Sequence, residues 1–281
     1  MQQQTATEES ETRRALELVE RIKIRLIGKA VAVGVIGGLL VCSFRLLLSQ
    51  AESLARGLFL FVGEHLIWLP VLAAGYLLLG LVVGALVKSE PMVKGSGIPQ
   101  VEGQLIGAFH IDWFPALVKK YVGGLLSIGC GLFLGREGPS IQLSALVGQG
   151  LGGLFHSPDF EKKILITCGA SAGLSAAFSA PLAGVLFALE EVHKNFSGVI
   201  LLTSMISSIC ASIVSNLIFG STPSLFVGEL QPLPIPFYLL LALMGVFLGG
   251  FGVLYNKVLL KTQDLYGKIH RGAPLSQVVI P

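Results

Sequence analysis

The residues best suited to chemistry in this sequence are Arg136 and Glu137, which lie between two apolar runs. Residues 121–135 and 138–158 contain no Asp, Glu, Lys or Arg. A carboxylate inside an apolar stretch is costly enough to indicate a functional site. The flanking glycines and the proline at position 139 predict a helix that begins near Glu137, because proline is accepted in a first turn. The positive end of that helix would attract anions, so we expect the Glu137 carboxylate to compete with a bound anion.

A second motif, Gly-Ser-Gly-Ile-Pro at residues 95–99, predicts a loop that leads into a helix starting at Pro99. That helix would end near Ile106, which makes it too short to cross a bilayer. A short helix at membrane depth is stable only where protein buries it or where it lines a cavity. An ordinary surface turn is the alternative interpretation of this motif.

A third segment places two carboxylates at the end of an apolar stretch. Pro181 is expected to open a helix that runs to His193 and carries Glu190 and Glu191 near its end. The residues alone allow Glu191 to be a helix-end carboxylate in water or an ion-pair partner of Lys194, three positions later.

The composition indicates a membrane protein. Of the 281 residues 53% are hydrophobic and 13% are charged, whereas soluble domains carry about 25% charged residues. The mean hydropathy is +0.76. Four stretches without charged side chains are long enough to cross hydrocarbon, which takes about 20 residues. We therefore predict an all-α, polytopic integral membrane protein. The four stretches are residues 66–87, 164–189, 195–228 and 230–256.

The elements that position the motifs can be placed along the chain. Residues 1–28 predict an amphipathic surface helix that ends before a first span over residues 29–48. Basic residues crowd this end, and the positive-inside rule places it in the cytoplasm. Further spans are predicted over residues 65–87, 113–134, 197–220 and 237–264, with a polar hairpin at 159–163, a small-residue helix at 164–178 and a Pro-rich loop at 222–236. The basic residues are Arg13, Arg14, Arg21, Lys23, Arg25 and Lys29.

Short helices broken by Gly or Pro inside apolar sequence are typical of transporters whose half-helices meet at a midplane ion site. The three motifs, at residues 95–99, 135–139 and 180–191, resemble those of the CLC family of chloride channels and transporters. The resemblance extends over about residues 29–268. It implies a CLC-like fold with tilted and broken helices.

The resemblance also implies how the chain is divided. Family members have an inverted second half that adds another helix start and a tyrosine hydroxyl to the anion site, and neither motif follows Tyr266. We therefore expect the first inverted-repeat half plus the start of the second, with an anion pathway that is incomplete. The expected regions are a cytoplasmic N-terminal helix at 1–28, a first transmembrane repeat at 29–220, and a loop with the first long helix of an incomplete second repeat at 221–281.

The resemblance assigns roles to individual residues. Ser96 matches the serine whose hydroxyl helps to hold the central anion, Glu137 the gating glutamate that moves out of an anion site when protonated, and Glu191 the inner glutamate of the proton path. Arg136 is expected to position its loop or to face solvent. The implied anion-binding set is Gly95, Ser96, Gly97, Ile98, Pro99, Gly135, Arg136, Gly138 and Pro139.

Proton-coupled chloride antiport is the function that the resemblance implies, because channels of the family typically replace the inner glutamate. The alternatives are a passive chloride channel, a fluoride-exporting member of the family and a non-transporting, truncated product. Fluoride exporters tend to depart from the pattern at the serine and at the inner glutamate, and this sequence has Ser96 and Glu191.

The expected partners are chloride as the transported ion, protons, the lipid bilayer and a second copy in a homodimer that pairs around residues 200–219. We expect a multi-pass protein of the plasma membrane, with no cofactor, no metal site, no nucleic-acid partner and no enzymatic activity. Its histidines are scattered near helix ends. The cysteines lie in apolar surroundings without metal-ligand spacing, so we predict that they are packing residues. These cysteines are Cys42, Cys130, Cys168 and Cys210.

Overall fold

The computed structural model describes the backbone of residues 2–132, 134–220, 234, 235 and 237–272, and the side chains of these residues from 23 to 265. Every regular element in this part of the chain is a helix, as the sequence predicts. The predicted loop at 222–236 lies almost entirely outside the described residues, as does the chain after residue 272. The helices are α1 (Gln2–Glu64), α2 (Leu69–Ser89), α3 (Ile98–Leu105), α4 (Trp113–Gly129), α5 (Glu137–Leu154), α6 (Asp159–Phe178), α7 (Pro181–Phe187), α8 (Gly198–Phe219) and α9 (Phe237–Gly272).

The centre of the fold is the antiparallel pair of α5 and α6, most of whose residues are buried. Glycines allow the two backbones to touch. A methyl group at Gly169 would come within 2.8 Å of the Ala145 Cα, and one at Gly173 within 2.9 Å of the Ser144 Cβ. Such close approach adds dispersion contacts, the main attraction between helices in lipid. The pair therefore forms a rigid base for the first turn of α5.

Helices α1 and α8 cover this pair through another surface of small residues. A methyl group at Gly38 would lie 2.9 Å from the Ala211 Cα. Buried serine hydroxyls donate to backbone carbonyls of α6 and α8, as in Ser207 to Cys168 at 3.1 Å and Ser175 to Ser208 at 2.9 Å. These bonds satisfy polar groups that water does not reach.

The N-terminal region differs from the prediction of a surface helix ending at residue 28. The structure has one unbroken helix, α1, from Gln2 to Glu64. No proline occurs in this stretch, and an isolated glycine such as Gly28 costs only about 1 kcal/mol in a helix, so nothing stops the helix. The side chains before residue 23, on which the predicted amphipathic face depends, lie outside the side chains that the structure describes.

Two further boundaries correct the sequence interpretation. The predicted polar hairpin at 159–163 is the first turn of α6, where Asp159 and Glu161 complement the positive end of the helix dipole. Helix α4 ends at Gly129 and not at Leu134. Gly131 has a φ of 86°, a left-handed conformation that glycine adopts readily, and it directs the chain out of the helix towards Glu137.

Four described helices are long and apolar enough to cross a bilayer, namely Lys23–Glu64, Leu66–Ser89, Gly198–Phe219 and Phe237–Leu265. The first of them contains a buried cation. The Arg45 guanidinium donates to the carbonyl oxygen of Ala176 at 2.5 Å and to the Ser215 hydroxyl at 3.0 Å. This places the charge at the carbonyl end of α6, where the helix dipole favours a cation. The protein is an integral membrane protein.

Candidate functional site

The loop before α3 is built around Ser96. Gly95 and Gly97 have φ values of 69° and 96°, which a side chain would strain. The Ile98 amide donates to the Ser96 hydroxyl oxygen at a long 3.4 Å, and the α3 helix starts at Ile98 with Pro99 in its first turn. Among the described residues, the Ser96 hydroxyl hydrogen has no protein acceptor, so it is free to donate to a ligand.

Glu137 is the first residue of α5, where the sequence predicts the helix to begin. A methyl group at Gly135 would collide with the Glu137 carboxylate, so the carboxylate folds back over this glycine. In the described part of the chain no Lys or Arg pairs with it. The first backbone amides of a helix have no partner within the helix, and they present positive partial charge around this carboxylate.

The starts of α3 and α5 touch. A methyl group at Gly138 would come within 2.6 Å of the Ser96 carbonyl oxygen, and one at Gly97 within 2.7 Å of the Gln142 side chain. The Gln142 amide donates to the carbonyl oxygen of Met92 at 2.8 Å, which ties the loop to the buried part of α5. The positions of Ser96 and Glu137 are therefore fixed relative to one another.

Both side chains line one cavity of about 520 Å³, enclosed by the loop before α3, the start of α5 and parts of α2 and α4. Of its charged lining residues three are lysines and one is the glutamate, so the wall has an excess of positive charge that attracts anions. Its polar and charged lining residues are Lys94, Ser96, Lys119, Lys120, Ser127 and Glu137.

The cavity unites most of the predicted anion-binding residues. Gly95, Ser96, Ile98, Gly135, Gly138 and Pro139 line it together with Glu137. Gly97, Pro99 and Arg136 do not line it. Gly97 lies in the loop before α3 and Pro99 in the first turn of α3, so both affect the geometry of the cavity wall. Arg136 is the residue before α5 and is half-buried.

Glu191 lies apart from this cavity. It is exposed and belongs to a π-helical segment, Ala188–His193, that continues α7. The predicted alternative of an ion pair with Lys194 is not formed, because Lys194 instead binds Glu102 of α3. The hydrogen bond that the Lys194 ammonium donates to the Glu102 carboxylate raises the pKa of Lys194 above its ordinary value. This ion pair joins α3 to the segment that carries Glu191.

Lys120 is the site residue that sequence reasoning missed. It is buried in the cavity wall, and its ammonium donates to the carbonyl oxygens of Gly95 and Val93. No local pattern in the sequence marks this lysine, because its burial depends on carbonyl groups of a loop about 25 residues earlier in the chain.

Comparison with known proteins decides the family. A model of the voltage-gated chloride channel family matches residues 78–281, which include all three motifs. The chain belongs to the voltage-gated chloride channel family. Among curated relatives, the H(+)/Cl(−) exchange transporters ClcA of Salmonella schwarzengrund and Salmonella agona are each 34% identical to it over 259 residues.

Solved structures of the family share the fold. A slow cyanobacterial Cl−/H+ antiporter aligns with a TM-score of 0.74 and 30% identity, over 91% of this chain and 62% of that one. A CLC-type fluoride/proton antiporter aligns with a TM-score of 0.73 and 25% identity, over 92% and 62% of the two chains. The CLC-like helical fold predicted from the motifs is confirmed.

The alignment with the ClcA relatives covers 90% of this chain and 54% of theirs. The chain therefore spans about half the length of the curated relatives it matches.

Proposed function

We propose that this chain carries the anion site of a chloride/proton antiporter. The observation that supports this most is the shared cavity of Ser96 and Glu137 at the starts of two helices. A hydroxyl donor, helix-start amides and a lysine-rich wall are suited to a monovalent anion. The Glu137 carboxylate occupies the same surroundings and gives that anion a titratable competitor.

Proton coupling requires a path for protons as well as an anion site. In the proposed mechanism Glu137 takes up a proton as it leaves the anion site, and Glu191 exchanges protons with the cytoplasmic solution. The exposure of Glu191 is compatible with direct access of water to its carboxylate. The names of the ClcA relatives as H(+)/Cl(−) exchangers support antiport over a passive channel.

The proposal includes an orientation and an assembly. The basic residues before the first span support a cytoplasmic N-terminus by the positive-inside rule, and the proposed location is the plasma membrane. The proposed partners are chloride, protons, the lipid bilayer and a second copy of the chain in a homodimer. No cofactor takes part, and the activity is transport rather than enzymatic turnover.

Flux through liposomes that contain the purified chain tests the proposal. An outward chloride gradient should drive protons inward, measured together with a chloride electrode and a pH electrode. Chloride flux without proton movement would instead support a passive channel. A strong preference for fluoride over chloride would support the fluoride-exporting alternative, and no flux of either anion would contradict transport by this chain.

A further inference from the structure

A second cavity, the α1–α2 groove, lies between the C-terminal part of α1 and the start of α2. It shares no lining residue with the cavity of Ser96 and Glu137. Its volume of about 500 Å³ is within the range of small-molecule sites, and every residue that lines it is apolar or aromatic. Leu54, Leu58 and Val71 on its walls are exposed, so the groove is open to its surroundings. The lining residues come from 51–62 in α1, 68–79 at the start of α2, and 129 and 130 at the end of α4.

The end of the groove at α4 is closed. Tyr76 carries the only hydroxyl among the lining residues, and this hydroxyl donates to the carbonyl oxygen of Cys130, which ties α2 to the end of α4. A methyl group at Gly129 would come within 2.6 Å of the Ala51 Cβ, so α4 also touches α1 there. A ligand at this end would gain van der Waals contacts and no hydrogen bond from a hydroxyl.

The opposite end of the groove lies at the turn between α1 and α2, where aromatic side chains with polar edges meet. Phe61 stacks on His65 with the ring centroids 4.8 Å apart, and its centroid lies 6.4 Å from that of Trp68. Glu64 is exposed beside them. Amphipathic rings, Trp above all, collect at the level of the lipid headgroups. This turn therefore marks the interface between membrane and water.

The wall formed by α2 sets the depth of the groove. Its lining residues recur every three or four positions from Trp68 to Leu79, which is one face of a helix. This face belongs to the candidate membrane span Leu66–Ser89, which has no charged residue before position 88. At about 1.5 Å per residue the face is about 16 Å long, or about half of a hydrocarbon core of about 30 Å. The groove therefore has about the depth of one lipid leaflet.

We propose that the α1–α2 groove binds one acyl chain of a bilayer phospholipid, with the headgroup at the level of Trp68 and the end of the chain near Gly129. An acyl chain fits the depth of one leaflet, the aromatic mouth and the apolar lining. A protein loop does not, because its backbone groups would find no hydrogen-bond partners in the groove. Contacts on several sides retain the chain, since the surrounding lipid is equally apolar. The inference is independent of the proposed transport function.

Quenching of the Trp68 fluorescence by a brominated phospholipid tests the inference. The chain contains two tryptophans, so Trp113→Phe leaves Trp68, which lines the groove, as the only one. The full chain with this substitution, purified in detergent, is titrated with phosphatidylcholine that carries bromine in its acyl chains, because bromine quenches tryptophan on contact. We expect quenching that saturates at one lipid per chain and that a brominated detergent does not reproduce.

Two glycines provide matched variants in this background. Gly75 of α2 lines the groove and Gly57 of α1 does not, and a methyl group added at either meets no atom within 4 Å. Gly75→Phe places a ring in the groove and should weaken lipid binding at least about tenfold, because the ring and the chain would overpack the same space. Gly57→Phe places the same ring outside the groove and should change binding less than about twofold, as is usual for surface substitutions.

Three outcomes would overturn the lipid site. The first is quenching that does not saturate, or no quenching at all, as when a second copy of the chain covers the groove. The second is equal quenching by the brominated detergent, and the third is an equal effect of Gly75→Phe and Gly57→Phe. If Gly75→Phe does not fold, Gly75→Leu takes its place with a smaller side chain in the same space. Intact-mass spectrometry then counts the phospholipid that each variant retains, and equal retention by Gly75→Leu and wild type would also exclude the site.

Discussion

Gly138 of α5 lies directly against Ser96, so that a single added methyl group would come within 2.6 Å of the Ser96 carbonyl oxygen and 2.8 Å of its Cβ. This contact sets the distance between the two helix starts that face the cavity of Ser96 and Glu137. No L side chain fits there unless the loop or the helix moves. The glycine is therefore a requirement of the site and not only of helix packing.

The first prediction is that Gly138→Ala displaces the Ser96 loop and weakens chloride binding about tenfold or more, while the helix itself gains up to about 1 kcal/mol from alanine. The contact of the added methyl group with the Ser96 backbone opposes this gain, so calorimetry should show lost affinity, and thermal unfolding of the same samples measures the net change in stability. Gly153→Ala is the control, because this glycine lies in the same helix with no atom within 4 Å of the added methyl. Equal affinities of the two variants would contradict the prediction.

The second prediction concerns the Ser96 hydroxyl, one neutral donor among several backbone amides. Ser96→Ala should weaken chloride binding by a few-fold to about tenfold, because a neutral hydrogen bond contributes about 0.5–1.5 kcal/mol. Ser127→Ala removes a hydroxyl from another wall of the same cavity and should leave the affinity unchanged. Identical affinities of wild type and Ser96→Ala would remove Ser96 from the site.

The sequence predicts those parts of the site that depend on residues close to one another in the chain. Glycines and prolines next to Ser96 and Glu137 specify helix starts within a few residues, and both helices begin where these residues indicate. The contact between the two helix starts was implied only by the family resemblance, because no local sequence pattern relates residues about 40 positions apart.

The parts that sequence does not predict depend on tertiary contact or on weak stop signals. Lys120 is a charged residue whose burial depends on two carbonyl groups of a loop about 25 residues earlier in the chain, which tertiary packing decides. The continuous α1 helix was not predicted for a different reason. Its polar-to-apolar change near residue 28 indicated a boundary, but no residue there breaks a helix.

The third prediction concerns the ion pair that joins α1 to α6. The Lys29 ammonium lies 2.5 Å from the Glu161 carboxylate, with only 11% and 13% of the two side chains exposed. Lys29→Met or Glu161→Met should each lower the unfolding free energy by about 3 kcal/mol, because each leaves a charge buried and unpaired. The double variant should recover part of this loss.

Unfolding in denaturing detergent measures these differences. The exposed pair of Asp159 and Lys162 on the same helix provides the control, since removal of an exposed ion pair costs at most about 1 kcal/mol. A double variant as unstable as the sum of its single variants would contradict the coupling between Lys29 and Glu161.

The fourth prediction is that Glu191→Gln keeps chloride flux and loses proton movement, because glutamine cannot carry a proton. Glu190→Gln, the exposed neighbour in the same π-helical segment, should retain both. The measurement is proton uptake driven by a chloride gradient in liposomes. Unchanged proton uptake in Glu191→Gln would leave Glu191 without a part in coupling.

The last prediction is that Glu137 is a titratable competitor for the anion site. Its carboxylate lies at the start of α5, where helix-start amides stabilise negative charge, and chloride would be stabilised by the same groups. Protonation removes the charge of the side chain and with it most of its attraction to this position. Chloride affinity of the wild-type chain should therefore rise as the pH falls.

Glu137→Gln removes the competitor at every pH. We expect tighter chloride binding at neutral pH, a flat affinity between about pH 4.5 and 7.5, and loss of proton coupling in liposomes. A free-energy difference of about 1.4 kcal/mol already changes relative occupancy tenfold, so a modest preference of the site for the carboxylate gives a measurable effect. Were Glu137 only a helix cap, the substitution would lower the melting temperature and leave the pH dependence intact. A steep acid-dependent rise in chloride affinity that survives in Glu137→Gln would exclude Glu137 as the gate and assign the titration to another group.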